Sequence, residues 1–461
     1  MPSDQEWKTF SQWTDTWGDI CSATVLGQTM IIIGSAKVAV DLLDKRSAIY
    51  SDRPVCTMGG ELVGWKNTLV LLPYGDRFRR YRRLFHNIIG SRSAIKLFLP
   101  VQEQETKRFL RRVLAKPGDL PQHIRKTAGA IILRISHGYE VKETDDPFVS
   151  LAEQAVEQFS LSTAPGGFIV DLIPSLRYVP KWLPFTGWRR TADAWAATLN
   201  QLVEQPFNFV KHQMVAGTAP VSFTSTLLEA KNLTAEEEFD IKWSSASLYS
   251  VSSVSSFFLA MTLYPETQAK AQAEIDAVIG GDRLPPRRLT LQVLLSWQIV
   301  IRWHSAVPTG VLHRAMQDDV YEGHFIPKGA LLLTNIHRMT HDARVYTDPM
   351  SFNPDRFIAT KDKSAEVDPR SFCWGFGRRY HLIRCSSFLL LGMHLADAYL
   401  FITAVMTLSV FNISKSIENG KVIVPIHENT RGTIRLVAHP VPFQCSISPR
   451  SEKSIQLIHN E

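Results

Sequence analysis

Trp374-Gly375-Phe376-Gly377-Arg378-Arg379 is the stretch that decides the fold of this chain. It is preceded by Phe352-Asn353-Pro354-Asp355-Arg356-Phe357 and followed by Gly392-Met393-His394-Leu395-Ala396-Asp397-Ala398, which opens an apolar helix. Glycine allows the backbone to approach a flat cofactor closely, and arginine pairs with carboxylates through two parallel hydrogen bonds. The stretch therefore predicts a loop that binds a flat, anionic cofactor. Cys385, between this glycine-rich loop (residues 374–379) and the helix, adds a thiol that can ligate a metal as its thiolate.

The composition indicates a globular chain with a large core. Its 461 residues are 45% apolar and 21% charged, which is ordinary for a folded protein. The five cysteines are scattered and odd in number, so they favour reduced thiols over a disulfide framework. A net charge of +7 is mild and diffuse. It suits an acidic partner or an anionic membrane surface, and we predict no binding of nucleic acid.

Three segments bear on targeting and on membranes. The N-terminus, Met-Pro-Ser-Asp-Gln-Glu-Trp, has neither a basic nor an apolar region, so no signal peptide is predicted. The most apolar run, residues 386–408, contains His394 and Asp397, and charge is unfavourable in the middle of a membrane span. We interpret this run as a buried core helix. The segment from Phe168 to Trp188 is rich in proline and aromatic residues, which predicts either a buried loop or an apolar, membrane-touching edge.

The order of patterns along the chain predicts one large, mainly α domain with small β-sheets, an α+β class. Residues 1–75 mix short apolar strands with a helix and form a β-rich N-terminal part. Residues 76–310 show helical spacing almost throughout. Residues 311–461 return to short strands and turns and contain the glycine-rich loop. No repeat or interdomain linker is visible, so we expect residues 1–461 to form a single domain.

These motifs, in this order, resemble the cytochrome P450 family of haem-thiolate monooxygenases, most closely its fungal microsomal members. The family's loop reads Phe-x-x-Gly-x-Arg-x-Cys-x-Gly, and Trp374, Gly377 and Arg379 match its first part. The cysteine position of that pattern is occupied by His381, and Cys385 comes four residues later. Five further residues separate Cys385 from the closing glycine, beyond the one that the pattern has.

The resemblance implies that Cys385 is the axial ligand of the haem iron, with His381 as the alternative ligand. Arg384 and a nearby helix N-terminus favour the thiolate form of Cys385. A thiolate pushes electron density onto iron and favours O–O cleavage, whereas an imidazole gives globin- or peroxidase-like iron. An inert buried thiol is the third interpretation of Cys385.

Two arginines match a second and a third motif of the family. Arg302 fits the Glu-x-x-Arg helix, and Arg356 fits a later Pro-x-Arg-Phe segment. In the family these arginines share a buried network with the glutamate, but Ile299 occupies that position here. Breaking a buried ion pair by removing one partner costs roughly 3–5 kcal/mol. We therefore expect Asp355 or Asp348 to supply the missing carboxylate.

The long central helix of the family carries an acid and an alcohol that relay protons to dioxygen. The corresponding segment reads Ala246-Ser-Leu-Tyr-Ser-Val-Ser-Ser-Val-Ser-Ser-Phe-Phe-Leu-Ala and lacks that pair. Ser250 is the candidate catalytic hydroxyl, with Ser252 and Ser253 as alternatives. The competing interpretation is that these serines only bond to the preceding helical turn.

The resemblance also implies which residues hold haem b. Arg82, four residues after Phe78, matches an arginine that meets a haem carboxylate through charge-assisted hydrogen bonds. Arg314 and Arg379 match two further arginines of this kind. Trp374 and Phe376 belong to the loop that lies against the haem. Three separated cations would thus converge on two carboxylates.

The activity implied by the resemblance is the insertion of one oxygen atom of O2 into a hydrophobic small molecule. A secondary metabolite, a terpenoid or steroid, and an aromatic xenobiotic are the substrate classes considered. Electrons would come from NADPH through NADPH–cytochrome P450 reductase. The resemblance implies the cytosolic face of the endoplasmic reticulum membrane. No spanning anchor is visible in the sequence, so a cytoplasmic protein, or one attached peripherally through residues 168–188, is the alternative.

Two other hypotheses fit the same residues. The departures from the family pattern are local and lie within otherwise orderly sequence, as expected for a catalytically inactive or mis-spliced P450 paralogue. A non-catalytic protein that binds apolar ligands without haem is the more distant hypothesis. The presence of haem and the nature of its axial ligand distinguish the three.

Overall fold

The computed structural model describes residues 5–164, 166–248, 254–281, 283–285, 298–380, 393–428 and 438–460. The first half of this part is mainly helical. Its α-helices, in chain order, are α1 (Glu6–Trp17), α2 (Ala36–Ala39), α3 (Ser47–Tyr50), α4 (Asp76–Ile89), α5 (Leu99–Ala115), α6 (Leu120–His137), α7 (Pro147–Ser162), α8 (Ile169–Leu172), α9 (Gly187–Val215), α10 (Phe223–Leu228), α11 (Ala235–Ala246), α12 (Val254–Leu263) and α13 (Pro265–Ile279). Two π-helices lie at Val40–Lys45 and Thr57–Val63.

Helices of the second half alternate with short strands. They are α14 (Gln298–Trp303), α15 (Ile336–Thr340), α16 (Arg370–Cys373), α17 (Gly377–Tyr380), α18 (Met393–Val410) and α19 (Glu452–Asn460). Short 3-10 turns lie at Trp65–Asn67, Ala94–Leu97, Pro117–Asp119, Pro174–Tyr178 and Pro354–Phe357. The terminal helix α19 was not predicted, because the sequence after residue 414 shows mainly strand and turn signals.

The strands form small sheets. They are β1 (Ile20–Val25), β2 (Gln28–Ile33), β3 (His313–Arg314), β4 (Asp319–Tyr321), β5 (His324–Ile326), β6 (Leu331–Thr334), β7 (Phe411–Lys415), β8 (Ile417–Glu418), β9 (Lys421–Val422) and β10 (Cys445–Pro449). A four-stranded sheet has the order β1-β2-β6-β3, with β2 and β6 parallel and the other pairs antiparallel. The pairs β7–β10, β4–β5 and β8–β9 make two-stranded sheets. The predicted class, mainly α with small β-sheets, is confirmed.

Three of the five apolar clusters in the described part of the chain join most of the helices and sheets. The largest joins α4, α5 and α6 to α12, α14 and α18 through buried side chains such as Phe109, Phe258 and Trp303. A second packs β2, β6 and the 36–50 helices under the glycine-rich loop. A third joins the Thr57–Val63 π-helix to α4, α7 and α9. The loop is thus supported by a core of its own.

Helix α18 contains the described part of the apolar run at residues 386–408, which the sequence predicted to be a buried core helix. Its residues Val405, Met406, Leu408 and Val410 are fully buried, so the described part of the run is a core helix as predicted. Within the described ranges, no helix is both long and apolar enough to cross a bilayer.

Four histidines are buried in an uncharged state: His137, His304, His313 and His341. Burial lowers the pKa of His137 and of His304 to about 3 and that of His341 to about 4, and it holds the pKa of His313 well below its usual range. Each Nδ1 atom has a hydrogen-bond partner, such as Ser256 Oγ at 3.0 Å from His304. These side chains therefore stay neutral in the folded protein at neutral and mildly acidic pH.

The buried histidines predict a loss of stability on mild acidification. In the unfolded chain they take up protons below pH ~6.5, whereas in the folded protein they do not, so the free energy of unfolding decreases as the pH falls from about 6.5 toward 4. One pH unit below 6.5, each such histidine contributes a loss of about 1 kcal/mol. Urea unfolding at pH 7.5, 6.5 and 5.5 measures this decrease.

Asp397 opposes the trend, because burial raises the pKa of its carboxyl to about 7 and so favours folding on acidification. Four histidines outweigh this one group. The variant His137→Gln is the matched control and should show a shallower pH dependence than the unaltered protein. A free energy of unfolding that stays constant or increases from pH 7.5 to 5.5 would contradict the prediction.

Candidate functional site

The glycine-rich loop approaches the N-terminal helices so closely that only glycine fits. Gly377 has φ 61°, and a Cβ at this position would overlap the carbonyl of Leu43. Its N–H donates to a carboxylate oxygen of Asp44. Phe376 is 1% exposed and packs into the core cluster that contains Leu43 and Tyr346. The backbone of the loop is therefore fixed on the side that faces the protein core.

Arg379 extends from this loop into a buried environment made of backbone carbonyls. It donates from Nε to Ser51 O at 2.9 Å, from Nη1 to Leu69 O at 3.1 Å and from Nη2 to Leu72 O at 2.5 Å. The centre of its guanidinium lies 4.0 Å from the centroid of the Phe78 ring. Burial holds the pKa of Arg379 well below its usual range. The side chain is thus positioned by three hydrogen bonds and one ring, all uncharged.

Arg82 meets Arg379 over the same aromatic ring. It lies one turn after Phe78 on α4, and its guanidinium carbon is 5.9 Å from the Phe78 centroid. Its Nη1 donates to the backbone carbonyl of Arg378. Burial lowers the pKa of Arg82 to about 10, so the guanidinium remains cationic at neutral pH. The structure therefore brings two of the three predicted arginines together.

Arg314, on β3, lies beside residues 51 and 52, and its side chain is more exposed than those of Arg82 and Arg379. Its N–H donates to Asp52 O at 3.0 Å, and its Nη1 is 3.9 Å from Asp52 Oδ2. The preceding residue of the segment, Ser51, accepts from Arg379. Residues 51 and 52 therefore connect Arg314 with Arg379.

A fourth arginine, Arg53, belongs to this group and was not predicted. It is 7% exposed and donates from Nε to Val70 O at 3.1 Å and from Nη1 to Val311 O and Leu312 O at 2.8 and 2.7 Å. Burial lowers its pKa to about 9, and its charge also lowers the pKa of Arg379. A single Arg-Pro dipeptide gives no sequence signal for such a position.

The end of the central helix lies next to this cluster. Ser247 Oγ accepts from Leu69 N at 3.0 Å and donates to Trp243 O at 2.7 Å, while Leu69 O accepts from Arg379. The residue Leu69 thus connects the helix end to the glycine-rich loop. Ser250, Ser252 and Ser253 follow directly in the sequence but lie outside the described residues, as do the two candidate iron ligands His381 and Cys385.

Trp374 is half-buried, and its Nε1 atom is buried without a hydrogen-bond partner in the described part of the chain.

The structure contradicts the prediction that Asp355 or Asp348 supplies the carboxylate for the buried Arg302 and Arg356. Asp355 pairs with the Lys270 ammonium at 2.6 Å, and Asp348 offers Arg356 only its backbone carbonyl, at 3.2 Å. A different carboxylate, that of Glu366, lies 2.6 Å from Arg356 Nη1.

Positive charge dominates the electrostatics of this site. Arg53, Arg82 and Arg379 are desolvated, and the hydrogen bonds described for them go to carbonyl oxygens. Carbonyls satisfy the donors but leave the charge uncompensated, apart from Asp52 nearby. A buried cation is unfavourable unless an anion accompanies it. The arrangement suits a planar ligand that carries carboxylates, and so it fits the group that the sequence motifs predicted.

Comparison with known proteins assigns the chain to a family. The cytochrome P450 family profile matches residues 2–446. The chain is 50% identical to cytochrome P450 monooxygenase 208 of Postia placenta, over 99% of this chain and 89% of that protein. It is 42% identical to cytochrome P450 monooxygenase claR of Ampulloclitocybe clavipes, over 99% of this chain and 85% of that protein.

Solved structures agree at the level of the fold. A zebra fish cytochrome P450 determined with progesterone superposes with a TM-score of 0.76 at 20% identity, over 98% of this chain and 100% of that one. The chain belongs to the cytochrome P450 family. The predicted family, fold class and enzyme class, a haem-dependent monooxygenase, are thereby confirmed.

Proposed function

We propose that this chain binds haem b with Cys385 as the axial iron ligand and with Arg82, Arg314 and Arg379 on the haem carboxylates. The observation that carries this proposal is the cluster of desolvated guanidiniums beside the glycine-rich loop. Its chemistry would be that of its relatives, insertion of one oxygen atom of O2 into a hydrophobic small molecule. When bound, the haem supplies the iron that activates dioxygen.

The residues of the chain would orient the haem and exclude water. Arg82 and Arg379 are already fixed by their carbonyl partners and by Phe78, so little side-chain entropy is lost when an anion binds. In a desolvated site each charge-assisted hydrogen bond is stronger than in water. Trp374 Nε1, in the loop itself, is a further donor without a partner among the described residues. Gly377 allows the backbone of the loop to pack directly against residues 43 and 47.

Four finer points belong to the same proposal. Ser250 is the candidate hydroxyl for proton delivery. Electrons would come from NADPH through NADPH–cytochrome P450 reductase. A fungal secondary metabolite, such as a terpenoid, is the proposed kind of substrate, since the similar proteins are fungal monooxygenases. The cytosolic face of the endoplasmic reticulum membrane is the proposed location.

The identity of the axial ligand is tested by spectroscopy of the reduced protein with carbon monoxide. We expect the red-shifted Soret band of a thiolate-ligated haem in the unaltered chain. Cys385→Ala should abolish this band, because it removes the thiolate. His381→Ala should leave the band unchanged, and Cys21→Ala, at a half-buried cysteine of β1, is the matched control for loss of a thiol.

Two results would contradict the proposed ligand. An imidazole-type band in the unaltered protein that disappears in His381→Ala would assign the iron to His381. Protein purified without haem, even when haem is supplied during expression, would remove the basis for a catalytic function and favour a non-catalytic member of the family.

We further propose that the 169–185 surface contacts a membrane peripherally. Its apolar side chains are unusually exposed: Trp182 is 81% exposed and Phe185 is 98% exposed. Ile169, Leu172 and Tyr178 are exposed on the same segment. Tryptophan and tyrosine are favoured at the membrane–water interface, where an apolar ring is buried and a polar edge stays hydrated.

Loss of two of these rings should weaken membrane binding. The double variant Trp182→Ser/Phe185→Ser is expected to bind vesicles of phosphatidylcholine with an anionic lipid roughly tenfold more weakly or worse, because two large apolar side chains no longer leave water. The control Val215→Ser/Ile417→Ser removes two exposed apolar side chains from other elements. Co-sedimentation measures both variants. Equal losses in the two would show that the 169–185 surface has no special role.

A further inference from the structure

Two arginines are buried together behind the glycine-rich loop. Arg302 on α14 is 0% exposed, and Arg356 in the 354–357 turn is 2% exposed. Arg302 donates to Thr340 O at 2.9 Å, to Pro349 O at 2.7 Å and to Ser351 O at 2.9 Å. Arg356 donates to the same Ser351 carbonyl at 3.2 Å. The two guanidiniums therefore share an acceptor, and their charges repel each other.

Glu366 provides the negative charge at this place. Its Oε2 atom lies 2.6 Å from Arg356 Nη1, and the side chains are 3% and 8% exposed for Arg356 and Glu366. Its Oε1 atom accepts from Thr347 N at 3.3 Å, and its backbone N–H donates to Arg356 O at 2.8 Å. The carboxylate also acts at longer range on Arg302. One buried carboxylate thus serves two buried guanidiniums.

One donor of Arg302 is not used in this network. Its Nε atom is buried and has no hydrogen-bond partner among the described residues. Ile299 precedes Arg302 by three positions on the same helix and is 2% exposed. Residues three apart lie on one face of a helix and can pair. A carboxylate at position 299 would therefore come close to the unused Nε donor.

The segment after Glu366 leads directly into the glycine-rich loop. Val367 O accepts from Tyr346 Oη at 3.0 Å, and α16 (Arg370–Cys373) follows within the next few residues. Cys373 is half-buried and lies close enough to Arg302 for the two to influence each other's pKa. Movement of residues 366–373 would displace Trp374 and the residues that follow it. The arginine network thus supports the segment that leads into the loop.

We propose that Glu366 is the positioning residue of the glycine-rich loop, because it supplies the shared negative charge that holds Arg302 and Arg356 in place of a carboxylate at position 299. This inference rests on the proposed function only because the loop is proposed to bind haem. The interaction of Glu366 with Arg302 and Arg356 is inferred from the contacts of these described residues alone.

The test compares the purified full-length variants Glu366→Gln, Ile299→Glu and the double variant Ile299→Glu/Glu366→Gln. Glutamine keeps the size of Glu366 and one of its two acceptor oxygens but removes its charge. We expect Glu366→Gln to reduce the ratio of folded to unfolded protein in urea by roughly 100-fold or more, because a buried cation loses its counterion. The double variant should regain most of this loss. Asp355→Asn is the matched control, because its exposed pair with Lys270 should change the ratio less than about fivefold.

Hydrogen exchange of the amides of residues 346–376 provides the second measurement. Exchange in this segment should accelerate in Glu366→Gln and slow again in the double variant. If Glu366→Gln does not fold, folding of the double variant alone supports the proposal. A Glu366→Gln variant that behaves like Asp355→Asn would overturn it, and so would failure of Ile299→Glu to restore the Glu366→Gln variant.

The outcomes are distinguishable from those for haem ligation. Urea unfolding and hydrogen exchange report the arginine network whether or not haem is bound. A restored folding equilibrium with no thiolate-type Soret band would retain the role of Glu366 in the network and reject Cys385 as the ligand. A thiolate-type band together with an unaffected Glu366→Gln variant would support Cys385 as the ligand and reject the role of Glu366 in the network.

Discussion

Desolvated positive charge is the constraint on which the rest of this structure depends. Next to the glycine-rich loop Arg53 is buried and Arg82 and Arg379 are partly buried and largely desolvated, and behind the loop Arg302 and Arg356 are buried. Burial of an ion is strongly unfavourable unless its hydrogen bonds and its charge are both compensated. In both groups, backbone carbonyls accept hydrogen bonds from the guanidiniums and so replace the water that these donors have lost. The two groups differ in how the charge is balanced.

Behind the loop the balance is internal, since Glu366 lies against Arg356 and acts on Arg302. In front of the loop Asp52 is the only carboxylate that acts on the cluster in the described part of the chain. The front group therefore has capacity for an external anion, whereas the back group already contains a buried carboxylate. This asymmetry separates the part of the site that binds a ligand from the part that supports it. The glycine-rich loop lies between them and is held from both sides.

The sequence allowed the fold to be predicted because its signals are local and occur in a fixed order. The pairing of Phe78 with Arg82 on one helix face, and the short spacing within the glycine-rich loop, need no knowledge of distant contacts. The positions of Arg53 and Glu366 could not be predicted in this way. Arg53 meets carbonyls of residues 70, 311 and 312, and Glu366 meets Arg356 across a turn, so tertiary contacts give both their roles. The expectation that Asp355 would serve was wrong because this side chain points to solvent and binds Lys270.

The proposed role of this site depends most on whether the arginines in front of the loop bind the carboxylates of haem. The most direct measurement is a titration of haem-free protein with haem and, separately, with haem dimethyl ester, which has the same ring and iron but no negative carboxylates. Two charge-assisted pairs contribute about 3 kcal/mol or more, so haem should bind at least about 100-fold more tightly than its ester. Equal affinities for the two would contradict the account, because the buried guanidiniums would then have no part in holding the ligand.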